Sequence, residues 1–324
     1  MEGKMLYSGK DLRKLIIPLI IEQILAIAVG MADTIMVSAA GEAAVSGVSL
    51  VDTVNILLIN VFSALATGGA VVSGHFLGKK KREDACKSAW QILLFATLLA
   101  FVISVIFITA HDTLLRLMFG KIEDDVMKAS KTYLIITTYS FVALAIYNSC
   151  AALFRAMNES KVTMWVSLLM NVINVVGNAI CIYGLHMGVA GVAIPTTISR
   201  YVAAVVIFLL MFQTKKEINL CGQITWKFNG SLIKKILYIA IPNGLENSMF
   251  QLGKILVMSA VATMGTSAIA ANAVTGTIAN WNNLPGFAIN LAIVSVVSVC
   301  VGAGRYDQAR YYTRRLCRDE MIGI

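Results

Sequence analysis

Residues 15–38 read LIIPLIIEQILAIAVGMADTIMVS, and residues 239–262 read IAIPNGLENSMFQLGKILVMSAVA. Each is long enough for a helix that crosses a ~30 Å hydrocarbon core, which takes ~20 residues. Both carry a proline near the start and a glutamate one turn later: Pro18 with Glu22, Pro242 with Glu246. The register that aligns them, a shift of 224, also places Gly41 on Gly265, Ala44 on Ala268, Gly78 on Gly302 and Ala85 on Ala309. Each match alone means little. Together they fall on positions that bend, pack or carry charge, which is the signature of an internal repeat. An even number of crossings separates the copies, so both start on the same side of the membrane. This is a parallel repeat of six helices, related by an axis along the membrane normal.

Outward from these stretches, the rest of the chain is equally apolar. Of its 324 residues, 58% are hydrophobic and 14% charged, with a mean hydropathy of +0.76. A water-soluble domain keeps about a quarter of its residues charged, so this chain has too little polar surface to face water. Eight apolar runs are expected to span the membrane, at 15–38, 45–77, 89–110, 130–154, 162–185, 188–213, 236–263 and 267–301. They are continuous and lack the alternation over ~10 residues that marks a β-barrel strand. The fold class is therefore all-α and polytopic. The first run follows Lys10, Arg13 and Lys14 as a signal sequence would, but it contains Glu22 and Asp33 and lacks a small-residue cleavage pattern. It is read as a retained helix.

The net charge of +9 raises the question of nucleic acid. Its distribution answers it. Alternate connections are basic: Lys4, Lys10, Arg13 and Lys14; Lys79, Lys80, Lys81, Arg82 and Lys87; Arg155 and Lys161; Lys215, Lys216, Lys227, Lys234 and Lys235; and Arg305, Arg310, Arg314, Arg315 and Arg318. The intervening connections hold only Arg116, Lys121, Lys128 and Lys131. That is the positive-inside pattern. It predicts a cytoplasmic N-terminus in a multi-pass protein of the cell membrane, with membrane lipid as its surroundings and no nucleic acid among its partners; a monomer is the expected unit. Cys86, Cys150, Cys181, Cys221, Cys300 and Cys317 have no C-x-x-C spacing and read as small hydrophobes, without disulfide or metal.

The repeat divides the chain into a six-helix N-lobe at 1–213, a cytoplasmic linker at 214–235 and a partial C-lobe at 236–324. Residue 324 corresponds to Ala100 of the first copy, and the stretch 311–320 is polar where the first copy is apolar. The expectation is that no third helix of the second copy forms here and that four more apolar spans follow in a longer reading frame. The alternative is an eight-helix protein complete as it stands.

Ionised side chains inside a bilayer cost at least ~2.5–3.5 kcal/mol, so they face partners, water or a ligand. Asp33, two thirds of the way along the first span, is the sharpest candidate. Asn174 and Asn178 share a face of the fifth span with Asn171 close by, and Thr196 and Thr197 follow Pro195 in the sixth, where a loosened turn frees a backbone carbonyl. Glu22 and Glu246 read either as holders or gates of a cationic substrate, or as interfacial residues reaching water. Lys254, eight residues after Glu246, and Arg200, one turn after Thr196, read as internal countercharges or as structural ion pairs, the latter favoured. Asn280, Asn282 and Asn283 before Pro285, with Asp52, Asn55 and Asn60 of the second span, would line a wet cavity if they face inward.

Asp33-Thr34-Ile35-Met36-Val37, Gly74-His75-Phe76-Leu77-Gly78, Asn171-Val172-Ile173-Asn174, Tyr183-Gly184, Gly188-Val189-Ala190-Gly191-Val192-Ala193 and Ile241-Pro242-Asn243-Gly244-Leu245-Glu246 resemble the MATE (multidrug and toxin extrusion) transporters. The resemblance covers the whole chain. It implies two six-helix lobes around a central cavity, and secondary-active efflux of cationic or amphipathic small molecules against Na⁺ or H⁺, with no other cofactor. It also implies an ion site in the N-lobe formed by an Asp of the first helix, an Asn and an Asp of the fifth and a Thr of the sixth. Asp33, Asn174 and Thr196 match that pattern. Asn178 departs from it, standing where the family has its second acid. A site with one carboxylate has less charge to strip water from Na⁺ and less like-charge repulsion to favour protonation, so the coupling ion stays open.

Other classes fit less well. His75, His111 and His186 have no ligand spacing, and residues 74–79 are one residue short of a P-loop and follow no strand, so an enzyme is not expected. A lipid-linked oligosaccharide flippase of the same superfamily would need a more cationic cavity than Arg200 and Lys254 provide. An inactive truncated product is the remaining alternative.

Overall fold

The structure is a computed structural model that describes residues 5–119, 123–213, 216–221, 226–262 and 266–322. Within these, the side chains at 119, 252, 255–256, 258–274, 276–278, 280 and 319–322 are not described. The elements are α1 (Gly9–Ser38), α2 (Glu42–Gly78), α3 (Arg82–Thr109), α4 (His111–Phe119), α5 (Asp124–Thr138), α6 (Phe141–Ala156), α7 (Ser160–Ala179), α8 (Ala190–Leu210), α9 (Gly230–Ala262), α10 (Thr266–Gly302) and α11 (Tyr306–Ile322). A π-helical turn at Ile180–Gly184 extends α7. No strand occurs among the described residues.

Among these residues six helices are long and apolar enough to cross a membrane, or seven counting the bent pair α5 and α6 as one span. The seventh expected span, α9, has the length but not the composition, because Asn243, Glu246, Asn247, Gln251 and Lys254 interrupt it. The expected span at 130–154 is two helices bent by 50° at Tyr139–Ser140. Backbone that leaves the helix at membrane depth must find other partners. Here α8 supplies them: Tyr201 Oη donates to Tyr139 O at 2.8 Å, and Thr197 Oγ1 donates to Ile136 O at 3.0 Å.

The repeat is visible in the helix boundaries. Adding 224 to residues 38, 42, 78 and 82 gives 262, 266, 302 and 306, which are the corresponding ends and starts of α9, α10 and α11. The two copies meet along α2 and α10. A Cβ on Gly78 would lie 2.1 Å from Val299 O, and one on Gly302 would lie 2.3 Å from His75 O. Val299 and Gly302 are the repeat counterparts of His75 and Gly78, so each copy gives the other the same contact, as a two-fold axis requires. Only glycine permits so close an approach of backbones.

One expectation is overturned at the C-terminal end. Residues 311–320 are polar, yet they lie in α11, the counterpart of the start of α3. The helix is amphipathic, and its narrow apolar face buries Tyr312 and Leu316 against α1 and α10. The described linker segments are also docked. Ile218 and Leu220 are fully buried, Arg82 donates to Lys216 O and Glu217 O, and Gln91 bridges Lys227 O and Asn229 N. The six cysteines are free.

Candidate functional site

α1, α7 and α8 bring the four expected residues into one polar chain. Asn178 Nδ2 donates to Asp33 Oδ1 at 2.7 Å and reaches Asn174 Oδ1 at 3.3 Å. Asn174 Nδ2 donates to Thr196 Oγ1 at 2.8 Å, and Thr196 Oγ1 donates to Val192 O at 2.8 Å. Both amides and the hydroxyl are buried. The chain depends on α7 and α8 packing closely. They do so because Gly177, between Asn174 and Asn178 on α7, faces Pro195, and a Cβ at Gly177 would lie 2.6 Å from Pro195 Cβ.

One donor of this chain, Asn178 Nδ2, meets the carboxylate; the others run on through Asn174 and Thr196 to Val192 O. Asn178 uses its nitrogen on Asp33 and Asn174, and its own Oδ1 is buried without a partner. A buried acceptor left unpaired costs about 1–3 kcal/mol and calls for an explanation. An oxygen of this kind next to a carboxylate suits a hard cation, which takes oxygen ligands only.

The carboxylate of Asp33 opens on a cavity of about 310 Å³ lined by Gly30, Asp33, Thr34, Asp52, Thr53 and Tyr133, among others. Asp52 enters it from α2 and accepts from Tyr133 Oη at 3.1 Å and from Asn55 Nδ2 at 3.3 Å. Asp33, Asp52 and Arg200 lie within electrostatic range of one another. The reading of a single-carboxylate site is therefore incomplete, since a second acid converges from α2. Asp52 has the same signal as Asp33, an acid inside an apolar span, but it sits one helix away from the expected ion site. Tyr133 carries no signal, because a tyrosine in an apolar run reads as packing. No group of three or more His, Cys, Asp or Glu side chains that would suit a metal cluster occurs among the described residues.

The other candidates separate. Glu22 is buried and neutralised, 3.6 Å from Arg155 Nη1, and it accepts from Thr163 Oγ1 at 3.0 Å. That excludes the water-reaching interfacial reading for this residue. Its repeat counterpart Glu246 is exposed, so the equivalence stops at the sequence. Among the described residues neither Arg200 nor Lys254 forms the favoured ion pair. Arg200 Nη1 donates to Ser140 Oγ at 2.8 Å, at the break between α5 and α6. Lys254 Nζ sits 4.8 Å from the centre of the Phe250 ring. Glu246 is about 12 Å along the same helix, beyond ion-pair reach. The Asn280 side chain lies outside the described residues; Asn282 and Asn283 are exposed.

A bundle of long apolar helices with two carboxylates, Asp33 and Asp52, on a cavity within it is the build of a polytopic membrane protein. The chain belongs to the MatE family, whose model matches residues 18–180 and 242–317. Among curated relatives it is 27% identical over 297 residues to the "Uncharacterized transporter YisQ" of Bacillus subtilis, covering 90% of this chain and 64% of that protein. It is 25% identical over 302 residues to the "Probable multidrug resistance protein NorM" of Thermotoga maritima, covering 92% and 64%. The chain thus spans about two thirds of the length of these relatives. A solved structure, an outward-facing multidrug resistance MATE family transporter of the MOP superfamily, superposes with a TM-score of 0.88 at 21% identity, over 95% of this chain and 68% of that one. At that identity the likeness shows the fold alone.

Proposed function

We propose that this chain works in secondary-active efflux, exchanging Na⁺ or H⁺ for cationic or amphipathic small molecules through a cavity between two lobes, 1–213 and 236–324, joined by residues 214–235. In this reading the protein sits in the cell membrane as a monomer with its N-terminus in the cytoplasm. One observation carries it: Asp33, within a membrane-length helix, has an amide as its only hydrogen-bond partner among the described residues and opens on a cavity shared with Asp52.

Asp33 and Asp52 supply negative charge, and the unpaired Asn178 Oδ1 and the Asp33 carboxylate supply oxygen ligands for the coupling ion. Arg200, fixed on Ser140 at the α5–α6 break, forms no ion pair with either acid among the described residues. Net acidity of the cavity favours cations over the anionic headgroup of a lipid-linked oligosaccharide, so the flippase alternative gains no support. The test is ion-driven transport of a fluorescent cation such as ethidium into everted vesicles containing the protein, the direction that corresponds to efflux from the cell. Asp33→Asn is expected to reduce efflux to the background of protein-free vesicles with the amount of inserted protein unchanged. Unchanged Na⁺- or H⁺-driven efflux would remove Asp33 from the mechanism.

A further inference from the structure

A second cavity, of about 710 Å³, lies far from Asp33, between the C-terminal end of α2 and the start of α9. One end of it is cationic. Lys79, Lys234 and Lys235 line it, and none of the three forms an ion pair among the described residues; the acid nearest Lys79 in its loop, Glu83, is paired with Lys87 at 2.7 Å. The walls are apolar, formed by Val72, Phe76, Tyr238 and Ile239. Tyr238, about two turns into α9, is 82% exposed, as an interfacial aromatic anchor would be.

The repeat provides an internal control. Shifted by 224, this helix pair becomes the end of α10 and the start of α1. There Lys79 is replaced by Ala303, Lys235 by Asp11, His75 by Val299, Phe76 by Cys300 and Ser231 by Tyr7. That crossing is filled. The Tyr7 ring packs edge-on against Tyr312 at 5.9 Å, Tyr312 Oη donates to Tyr7 O at 2.8 Å, and Leu12, Leu15, Val296 and Cys300 are buried around them. Asp11 caps α1 through Ser8. The counterpart of Tyr312 is Ser88, which has no ring to pack there. The same crossing therefore closes in one copy and stays open in the other, and the open one is where positive charge has gathered.

We propose that this cavity seats one anionic phospholipid of the adjoining leaflet, with its phosphate held by Lys79, Lys234 and Lys235 and an acyl chain lying along Phe76, Tyr238 and Ile239. Clustered lysines at the membrane surface attract anionic headgroups, and an apolar wall running into the bilayer distinguishes a lipid from a free anion. The seat lies where α2 of one copy packs on α9 of the other, so its occupant touches both copies.

The test uses the purified full chain in dodecyl maltoside, incubated with phosphatidylglycerol or phosphatidylcholine, washed, and assayed for retained lipid by native mass spectrometry. About one phosphatidylglycerol per chain is expected to remain, without phosphatidylcholine. The triple variant Lys79→Gln, Lys234→Gln, Lys235→Gln is expected to weaken that retention on the order of 100-fold, while Lys10→Gln with Lys14→Gln, in the closed counterpart, leaves it unchanged. Equal retention of both lipids, or retention that survives the triple variant, would overturn the proposal. So would displacement of phosphatidylglycerol by inorganic phosphate at equal concentration, which would make the seat an anion site. If the triple variant loses its monodisperse elution, the lipid comparison and the phosphate competition on the unmodified chain decide alone.

Discussion

Two carboxylates on α1, Glu22 and Asp33, stand about 16 Å apart along the same helix. Both are acids within a membrane-length segment. Their surroundings differ in kind. Glu22 meets a permanent cation, Arg155, and a hydroxyl, Thr163, so its charge is compensated within the protein. Among the described residues Asp33 meets only an amide, with Asp52 sharing its cavity and Arg200 held off on Ser140. A compensated charge has little to gain from a mobile cation. An uncompensated one can exchange protein partners for an ion and back, and that is the property a coupled transporter needs. The contrast teaches that burial of an acid is a weak mark of function, and that the identity of its partner is the stronger one.

This contrast can be broken by substitution. The largest effect on transport is expected from Asp33→Asn, with loss of ion-driven efflux in everted vesicles; Glu22→Gln should retain ion dependence. The largest effect on stability is expected from Arg155→Met, which strands the Glu22 carboxylate in a buried place and should cost about 3–5 kcal/mol. Pairing it with Glu22→Gln should recover much of that loss, and a double-mutant cycle from denaturant unfolding of the detergent-solubilised protein measures the recovery. Next comes Gly177→Ala. Pushing α7 off Pro195 should cost about 1–3 kcal/mol and lengthen the Asn174–Thr196 hydrogen bond, so ion affinity should fall more than in a variant equally destabilised elsewhere. Thr163→Val removes one hydrogen bond to a charged group and should cost about 1.5–3 kcal/mol without altering ion affinity. The smallest change is expected from Glu246→Gln, within about 0.5 kcal/mol, because that glutamate is exposed.

Much of this architecture is legible in the amino-acid sequence. Continuous apolar runs dictate helices because nothing else of that pattern spans lipid, and the shift of 224 anticipates helix boundaries that repeat to the residue. Asp33, Asn174, Asn178 and Thr196 are legible for a related reason: polar groups in hydrocarbon stand out by their cost. What stays hidden depends on pairing between distant segments. Arg155 sits at the end of a span where the positive-inside pattern already accounts for it, so nothing marks it as the partner of Glu22. The bend at Tyr139–Ser140 has no proline or glycine to announce it, and α8 stabilises it through Thr197, Arg200 and Tyr201. Asp52 is visible as an acid but not as a neighbour of Asp33. α11 escapes a reading by composition because its buried face rests on few residues, chiefly Tyr312 and Leu316, within a strongly basic stretch.

The most direct test of the distinction between the two acids is cation uptake by the purified protein in detergent, measured as retained ²²Na⁺ and, in parallel, as protons released into weakly buffered solution on adding Na⁺ or raising pH. Uptake of one of these ions should be lost in Asp33→Asn and preserved in Glu22→Gln. Equal uptake in the two variants, whether both retain it or both lose it, would contradict the account.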